Sequence, residues 1–414
     1  MKVNLPYGKE RFILDLPDTA QVNVLETEGK KQPISKKAVD NTLENPTGQQ
    51  RLEELVDKGD EIVIIACDKA RPTPNELLID FVMSRLSQVP VPDANISIVF
   101  ALGTHPQMNE KEMRTLIGKY YNRFQIYQHE VDTNTTILGT TKRGTEVNIN
   151  NRVLEADIKI GLADVAPHPW AGYGGGAKVI LPGVSNRRSI NHNHQMMTLP
   201  DVKFLGVTKG NPIREDINEA AQLAGLDYIV NAILGKNLEA LGLVAGDPIK
   251  AFDAGVEIAR TVYERPIPEE YDVVIATSFP MDLNFYQGSK GFDNARVAVR
   301  PGGKIILFTP SYEGVGREDF AYYSTLGKEE LEEIILSGTA RDLIEVLVAY
   351  DDINRTREKA DIHIVSKGLK REIVESWRMA YYESPREAIQ KVIEPGDSVL
   401  VLPEGAFTLP VLKE

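Results

Sequence analysis

The sequence predicts an α/β protein of two domains, each a mainly parallel, doubly wound sheet with flanking helices. Three observations predict it. Short apolar runs, EIVIIACD (61–68), ISIVFAL (96–102) and ADIKIGLA (156–163), recur with helical patterns between them. That is the rhythm of buried parallel strands joined by crossover helices. The loops leaving these strands carry the polar groups: Asp68 and Arg71, His105, and His168. Open parallel sheets bind ligands beyond the carboxyl ends of their strands, so three separate segments deliver chemistry to one edge. Finally, after the proline-bearing RPIPEE (265–270), the rhythm restarts with YDVVIATS, GGKIILFTP, ADIHIVS and DSVLVLP. The expected division is residues 1–267 and 268–414, with the functional site in the cleft between the two domains.

Composition bounds the partners. The chain has 414 residues, 42 % of them apolar, and a net charge of −13. That charge argues against nucleic acid, whose phosphates call for a basic surface, but leaves room for a small anion held by local cations. A single cysteine, Cys67 in an apolar run, excludes an internal disulfide framework and reads as a structural thiol in a reducing compartment. The amino-terminal MKVNLPYGKERFILDLP lacks the apolar centre of a signal peptide, and no run reaches the roughly 18 apolar residues of a membrane span. A cytoplasmic protein with no membrane partner is expected.

Taken in order, RFILDL (11–16) and QVNVLE (21–26) read as a strand pair joined by a Pro-Asp turn. The polar stretch to about residue 50 carries no clear pattern. After the strand at 61–68, Thr73, Pro74 and Glu76 form a capping signature for a helix through LLIDFVMSRLSQ. A helix from about Asn109 follows the GTHP loop, and Ser185 is the expected cap of a helix over 186–197. In the second domain Ser384-Pro385-Arg386-Glu387 opens another helix, and KEELEE (328–333) reads as a solvated helix face.

The chemistry concentrates in GLADVAPHPWAGYGGGAKVILPGVSNRRSINHNHQ (161–195). GYGGGAKV is not a P-loop, because Ala177 precedes Lys178 and Val179 follows it. A flexible loop is its ordinary reading; the flanking histidines point to more. Lys178 lies among apolar neighbours, where partial desolvation makes a lysine a better nucleophile or covalent anchor. His192 and His194 are two apart and do not share a helix face, so one of them is expected at the site. His105 and His168, each following a strand end, suit a base on either side of a substrate. His129 and His363 have no such company and read as structural. In NFYQGSKGF, Gln287 and Lys290 share a helix face, a pairing suited to a carboxylate or a developing alkoxide.

The ordered set DKARP, GTHP, PH…GGGAK…PG…NHNH and YQGSKG resembles the nickel-pincer lactate racemase family across most of the chain. Lys178 stands ten residues after His168, and His194 sixteen after Lys178. The resemblance implies nickel held in a nickel-pincer nucleotide (a pyridinium-3-thioamide-5-thiocarboxylic acid mononucleotide) covalently linked to Lys178, with His194 as the remaining metal ligand. Square-planar coordination by soft donors is a reasonable nickel site. It implies His105 and His168 as the acid/base pair while hydride passes between a 2-hydroxy acid and the pincer. Asp68, Arg71, Gly174, Gly175 and Gly176 would line the cofactor, and Arg71, Tyr286, Gln287 and Lys290 would bind substrate. Dedicated maturation enzymes are the implied partners. Two other functions compete. An NAD-dependent 2-hydroxy acid dehydrogenase needs a dinucleotide fingerprint, and no convincing one is found. A non-catalytic anion binder has no use for the retained Lys178, His194 and two bases.

Overall fold

The computed structural model describes residues 1–27, 32–200 and 202–413. The chain divides into two compact units, Lys30–Thr261 and Met1–Gly29 together with Val262–Glu414. The first residues therefore belong with the carboxyl-terminal part, whereas the sequence reading kept residues 1–267 together.

The unit formed by Lys30–Thr261 is built on a six-stranded sheet in the order Ala240–Gly246, Tyr228–Leu234, Ile158–Asp164, Ile62–Cys67, Ile96–Ala101, Gln125–Gln128. All neighbours are parallel except the first pair. Ile62–Cys67 and Ile158–Asp164 are almost wholly buried, which is why they read as unbroken apolar runs rather than alternating ones. Burying each such Val or Ile contributes about 1.5–3 kcal/mol. The chain steps outward from Ile62–Cys67 through Ile96–Ala101 to Gln125–Gln128, then returns to the other side at Ile158–Asp164. The order thus reverses between Ile62–Cys67 and Ile158–Asp164, and crevices form at such reversals. Asp68 and Arg71 leave one of these strands, His168 the other, and His105 the next strand along.

The second unit has a six-stranded parallel sheet in the order Ala380–Tyr382, Ala360–Val365, Val299–Phe308, Tyr271–Thr277, Ser398–Leu402, Gln21–Val24. Its four long strands are those read from the sequence. The amino-terminal pairing differs. Glu10–Asp15 pairs antiparallel with Lys2–Tyr7 across Gly8, whose φ of +63° suits the tight turn. Gln21–Val24 instead extends the sheet beside Ser398–Leu402. The hairpin buries Val3, Leu5 and Leu14 against Val273, Ile306, Phe308 and Val401, a long-range gain invisible to local pattern.

Two expected caps also differ. The helix Asn75–Leu86 starts later than Thr73 would place it, and the Thr73 hydroxyl donates to Asp164 instead. The helix Arg187–Gln195 is capped by Asn186, which accepts from the Arg188 N–H. Ser185 turns its hydroxyl to the Ile180 carbonyl at 2.7 Å. Ser384 caps its helix as expected, and the helix expected from about Asn109 is Glu110–Ile117, capped by Asn109. Within Lys328–Ser337, Leu331 and Ile335 are buried, so KEELEE is solvated on one side only. Among the described residues no helix is long and apolar enough to cross a membrane.

Candidate active site

The first cluster joins two strand exits. His105 Nδ1 lies 2.5 Å from Asp68 Oδ2. Burial opposes ionisation of Asp68, but the adjoining His105 and Arg71 outweigh it and hold the carboxyl below its ordinary range. A carboxylate only accepts, so His105 donates from Nδ1 and its lone pair resides on Nε2. Arg71 is half-buried, with its amide on the Asp68 carbonyl and its guanidinium on that of Ala70. Lys69 pairs with Glu112 at 2.6 Å, which steadies the same loop.

His168 sits differently. It belongs to a small hairpin, Pro167–His168 against Gly172–Tyr173. The amides of Trp170 and Ala171 reach its Nδ1 at 3.3 and 3.2 Å. An amide can only donate, so this Nδ1 accepts and the ring proton sits on Nε2.

The glycine-rich stretch then turns under the sheet edge. Gly175 and Gly176 have φ of +83° and +62°, and a Cβ on Gly176 would meet the Phe252 ring at 2.7 Å. Only glycine fits there. Gly174 is half-buried, its amide on the Ala166 carbonyl at 2.7 Å. Lys178 lies on the short turn Gly176–Val179, half-buried. Gly183 bonds the Lys178 carbonyl, and Gly103, in the loop that carries His105, bonds the Gly183 carbonyl. The His105 loop and the Lys178 turn are thereby tied together.

His194 completes the group. It is buried, its Nδ1 on the Ile190 carbonyl at 3.1 Å, with Trp170 edge-on at 5.7 Å. Burial, followed by the charge of nearby Lys178, lowers its pKa to about 3. It is therefore neutral, with its lone pair on Nε2, the form a metal ligand needs. His192 faces elsewhere, toward Thr145 Oγ1 at 2.8 Å, as the two-residue spacing requires. His129 is buried against the Ser185 carbonyl and Asn150, and burial lowers its pKa to about 4. His363 meets the Tyr382 hydroxyl. The Cys67 thiol donates to the Leu162 carbonyl, and burial pushes it up to about 12, an unreactive form.

Two supports escaped the sequence reading. Arg214, fully buried over the Phe252 ring, donates to the carbonyls of Ala171, Tyr173 and Gly175. Asn231 accepts the Gly176 amide at 2.7 Å, and its buried Nδ2 has no hydrogen-bond partner among the described residues. An arginine in a helix and an asparagine in a strand carry no local mark of such work; only the fold sets them against the glycine turn.

In the second unit, Tyr286, Gln287 and Lys290 follow the strand Tyr271–Thr277. Lys290 Nζ donates to Gln287 Oε1 at 2.8 Å. The expected proximity holds, though the two residues lie on successive helices, Phe285–Gly288 and Lys290–Ala298, rather than one. Tyr286 is buried against Phe320, with the Arg317 guanidinium 5.4 Å from its ring.

These features define a doubly wound protein whose parallel strands release His105 and His168, with the His105 loop tied to the Lys178 turn. The lactate racemase N-terminal domain family matches residues 7–204, and the lactate racemase C-terminal domain family matches residues 268–409. A lactate racemase of Thermoanaerobacterium thermosaccharolyticum is 30% identical over 331 residues, covering 77% of this chain and 76% of that protein. One from Lactiplantibacillus plantarum is 30% identical over 346 residues, covering 80% of each. The lactate racemase apoprotein structure from T. thermosaccharolyticum superposes with a TM-score of 0.87 at 27% identity, covering all of both chains. A Thermotoga maritima protein structure shares the fold at TM-score 0.75 and 16% identity, covering 92% of this chain and 100% of that one. The chain belongs to the lactate racemase family and is an isomerase of that class.

Proposed function

We propose that the protein racemises or epimerises a 2-hydroxy acid, lactate or a relative of it, using a lysine-tethered nickel-pincer nucleotide. The observation that carries this reading is the backbone tie between the Lys178 turn and the His105 loop, with the Lys178 charge near enough to buried His194 to lower its pKa. The residues fit such a group. His194 offers Nε2 to a metal while Ile190 fixes its other nitrogen. Lys178 supplies the amine for the covalent link, and the Gly174–Gly176 turn brings backbone close to a ring or phosphate. The buried, unpartnered Asn231 Nδ2 is a donor under that turn. Arg71 and Asp68 line the same edge.

Such a group, held by Lys178 and His194, would supply hydride-transfer chemistry at C2 of the substrate. The chain's residues handle the rest. His105 Nε2 takes the hydroxyl proton of one enantiomer, and the Asp68 carboxylate stabilises the resulting imidazolium. His168 serves the opposite enantiomer. Within its own unit Arg71 offers a guanidinium suited to an anion, and Tyr286, Gln287 and Lys290 offer substrate-binding groups in theirs, Lys290 a cation suited to a carboxylate. The single reduced cysteine suits a cytoplasmic setting.

The test uses protein produced with cofactor-maturation enzymes and one pure enantiomer, without added NAD. Optical inversion is expected, together with nickel and a nucleotide-sized adduct on the Lys178 peptide. No inversion across a panel of chiral 2-hydroxy acids, with adduct and nickel present, overturns the reading. Keto-acid formation dependent on added NAD indicates a dehydrogenase instead.

A further inference from the structure

Beneath Lys290 lies a group of buried carboxylates that the proposed chemistry does not use. Asp293, Asp351 and Asp352 offer oxygens all within 4.8 Å of one another. Two of them come from one irregular segment. The helical rod from Leu343 to Lys359 widens at Ala349–Arg355 into π-helical turns. There the Asp351 carbonyl accepts from Arg296 Nη1 at 2.5 Å, and consecutive residues Asp351 and Asp352 are both buried. Such widened turns cost helix geometry and gather at functional places. Arg296 also donates to Asp293 Oδ1 and Asp351 Oδ1, and Arg355 reaches Asp351. Asp351 is thus matched by two guanidinium groups. Asp293 keeps its buried Oδ2 without a hydrogen-bond partner among the described residues.

Asp352 has a different contact. Its Oδ2 lies 2.5 Å from the hydroxyl of Ser289, which is fully buried and stands between Gln287 and Lys290. The same hydroxyl lies 3.1 Å from the Tyr286 carbonyl. A hydroxyl has one proton and cannot donate to both. Burial and the charge of Asp351 push Asp352 up to about 7. In its protonated form the carboxyl donates to Ser289, and Ser289 donates to Tyr286. One chain of hydrogen bonds then runs from the π-helical segment into the turn that bears Tyr286, Gln287 and Lys290. The groups around Asp352 are Ser289, Lys290, Asp293 and Arg296 on one side, and Asp351 and Arg355 on its own segment.

We propose that Asp352, acting through Ser289, is a positioning residue that sets the turn presenting Gln287 and Lys290 to the substrate. This rests on the reading of Lys290 as a substrate-binding cation. The test measures kcat and KM of cofactor-loaded protein for its 2-hydroxy acid in Asp352→Ala, Ser289→Ala, Asp352→Asn and Lys290→Met, with folding checked by thermal melting. Asp352→Ala and Ser289→Ala are expected to raise KM about tenfold, the size of one lost buried hydrogen bond, with kcat little changed. Asp352→Asn keeps a group that can donate to or accept from Ser289, and should restore KM toward the parent value. Lys290→Met should raise KM at least as far. If Asp352→Ala fails to fold, Ser289→Ala, which removes one hydroxyl, decides. Parent-like KM in Ser289→Ala beside a weakened Lys290→Met overturns the positioning role and leaves the substrate reading standing. So does a defect in Asp352→Asn equal to that in Asp352→Ala. Parent-like KM in Lys290→Met overturns the role of Lys290 itself, and the inference with it.

Discussion

His105 and His168 leave two parallel strands of one sheet, yet the chain holds them in opposite states. His105 gives its Nδ1 proton to the Asp68 carboxylate, which leaves a basic Nε2 and stabilises the protonated ring. His168 accepts backbone amides at Nδ1, which puts its ring proton on Nε2. To take a proton at Nε2, His168 must first give up those amides and carry its own proton on Nδ1. The comparison teaches that a pair alike in sequence need not be alike in chemistry. An anion fixes the proton of one imidazole on Nδ1; backbone donors fix that of the other on Nε2.

The largest effect expected lies outside the pair and tests whether the pair has a shared purpose. Lys178→Ala should abolish both the covalent adduct and turnover, read by intact mass and chiral assay. Retained turnover would remove the anchor and leave the two histidines without a common centre. Next, His105→Ala and His168→Ala should each lower kcat by about 10²–10⁴, the range of general acid/base contributions. An unchanged rate in either variant takes that ring out of the mechanism.

Asp68→Asn sharpens the contrast. It should lower kcat by roughly 10–100-fold, as loss of a supporting carboxylate commonly does. Enantiomers have equal free energies, so on lactate kcat/KM must fall equally in both directions. The inequality between the histidines is therefore read in kcat and KM taken separately for each enantiomer. Identical changes in both would mean that Asp68 does not distinguish the two rings.

The smallest effect concerns stability and compares the site histidine His194 with the structural His129. Both have folded pKa values below that of an exposed histidine, about 3 and about 4, because burial disfavours the charged ring. The unfolded chain then binds more protons below about pH 6.5, so stability falls as pH drops from there toward 4. Each ring contributes up to about 1.4 kcal/mol per pH unit in that window. His129→Gln should flatten the acid limb of an apoprotein melting curve measured against pH. An acid limb as steep as the parent's would show that His129 is not buried neutral.

Much of this was legible before any coordinates. Ile62–Cys67, Ile96–Ala101 and Ile158–Asp164 announce themselves because strands buried on both faces need unbroken apolar runs. The exits of those strands carried Asp68, His105 and His168, so their shared edge followed from the parallel topology alone. The partner of Glu10–Asp15 was misread because strand pairing depends on which distant apolar face is available, and Val273 and Phe308 are remote in sequence. Thr73 looked like a cap because a hydroxyl before proline fits the pattern. In the fold the helix begins at Asn75, and the Thr73 hydroxyl donates to Asp164, ninety-one positions away.

The sequence by itself determined the alternation of strand and helix, the family, and the residues able to do acid/base and metal chemistry, since these depend on local pattern and side-chain type. Tertiary structure decided which ring nitrogen of His105 and of His168 carries the proton, that His194 is buried and neutral, that Arg214 and Asn231 brace the glycine turn, and that Asp352 meets Ser289. Those properties come from burial and from partners brought close by folding, and neither quantity is a property of any residue alone.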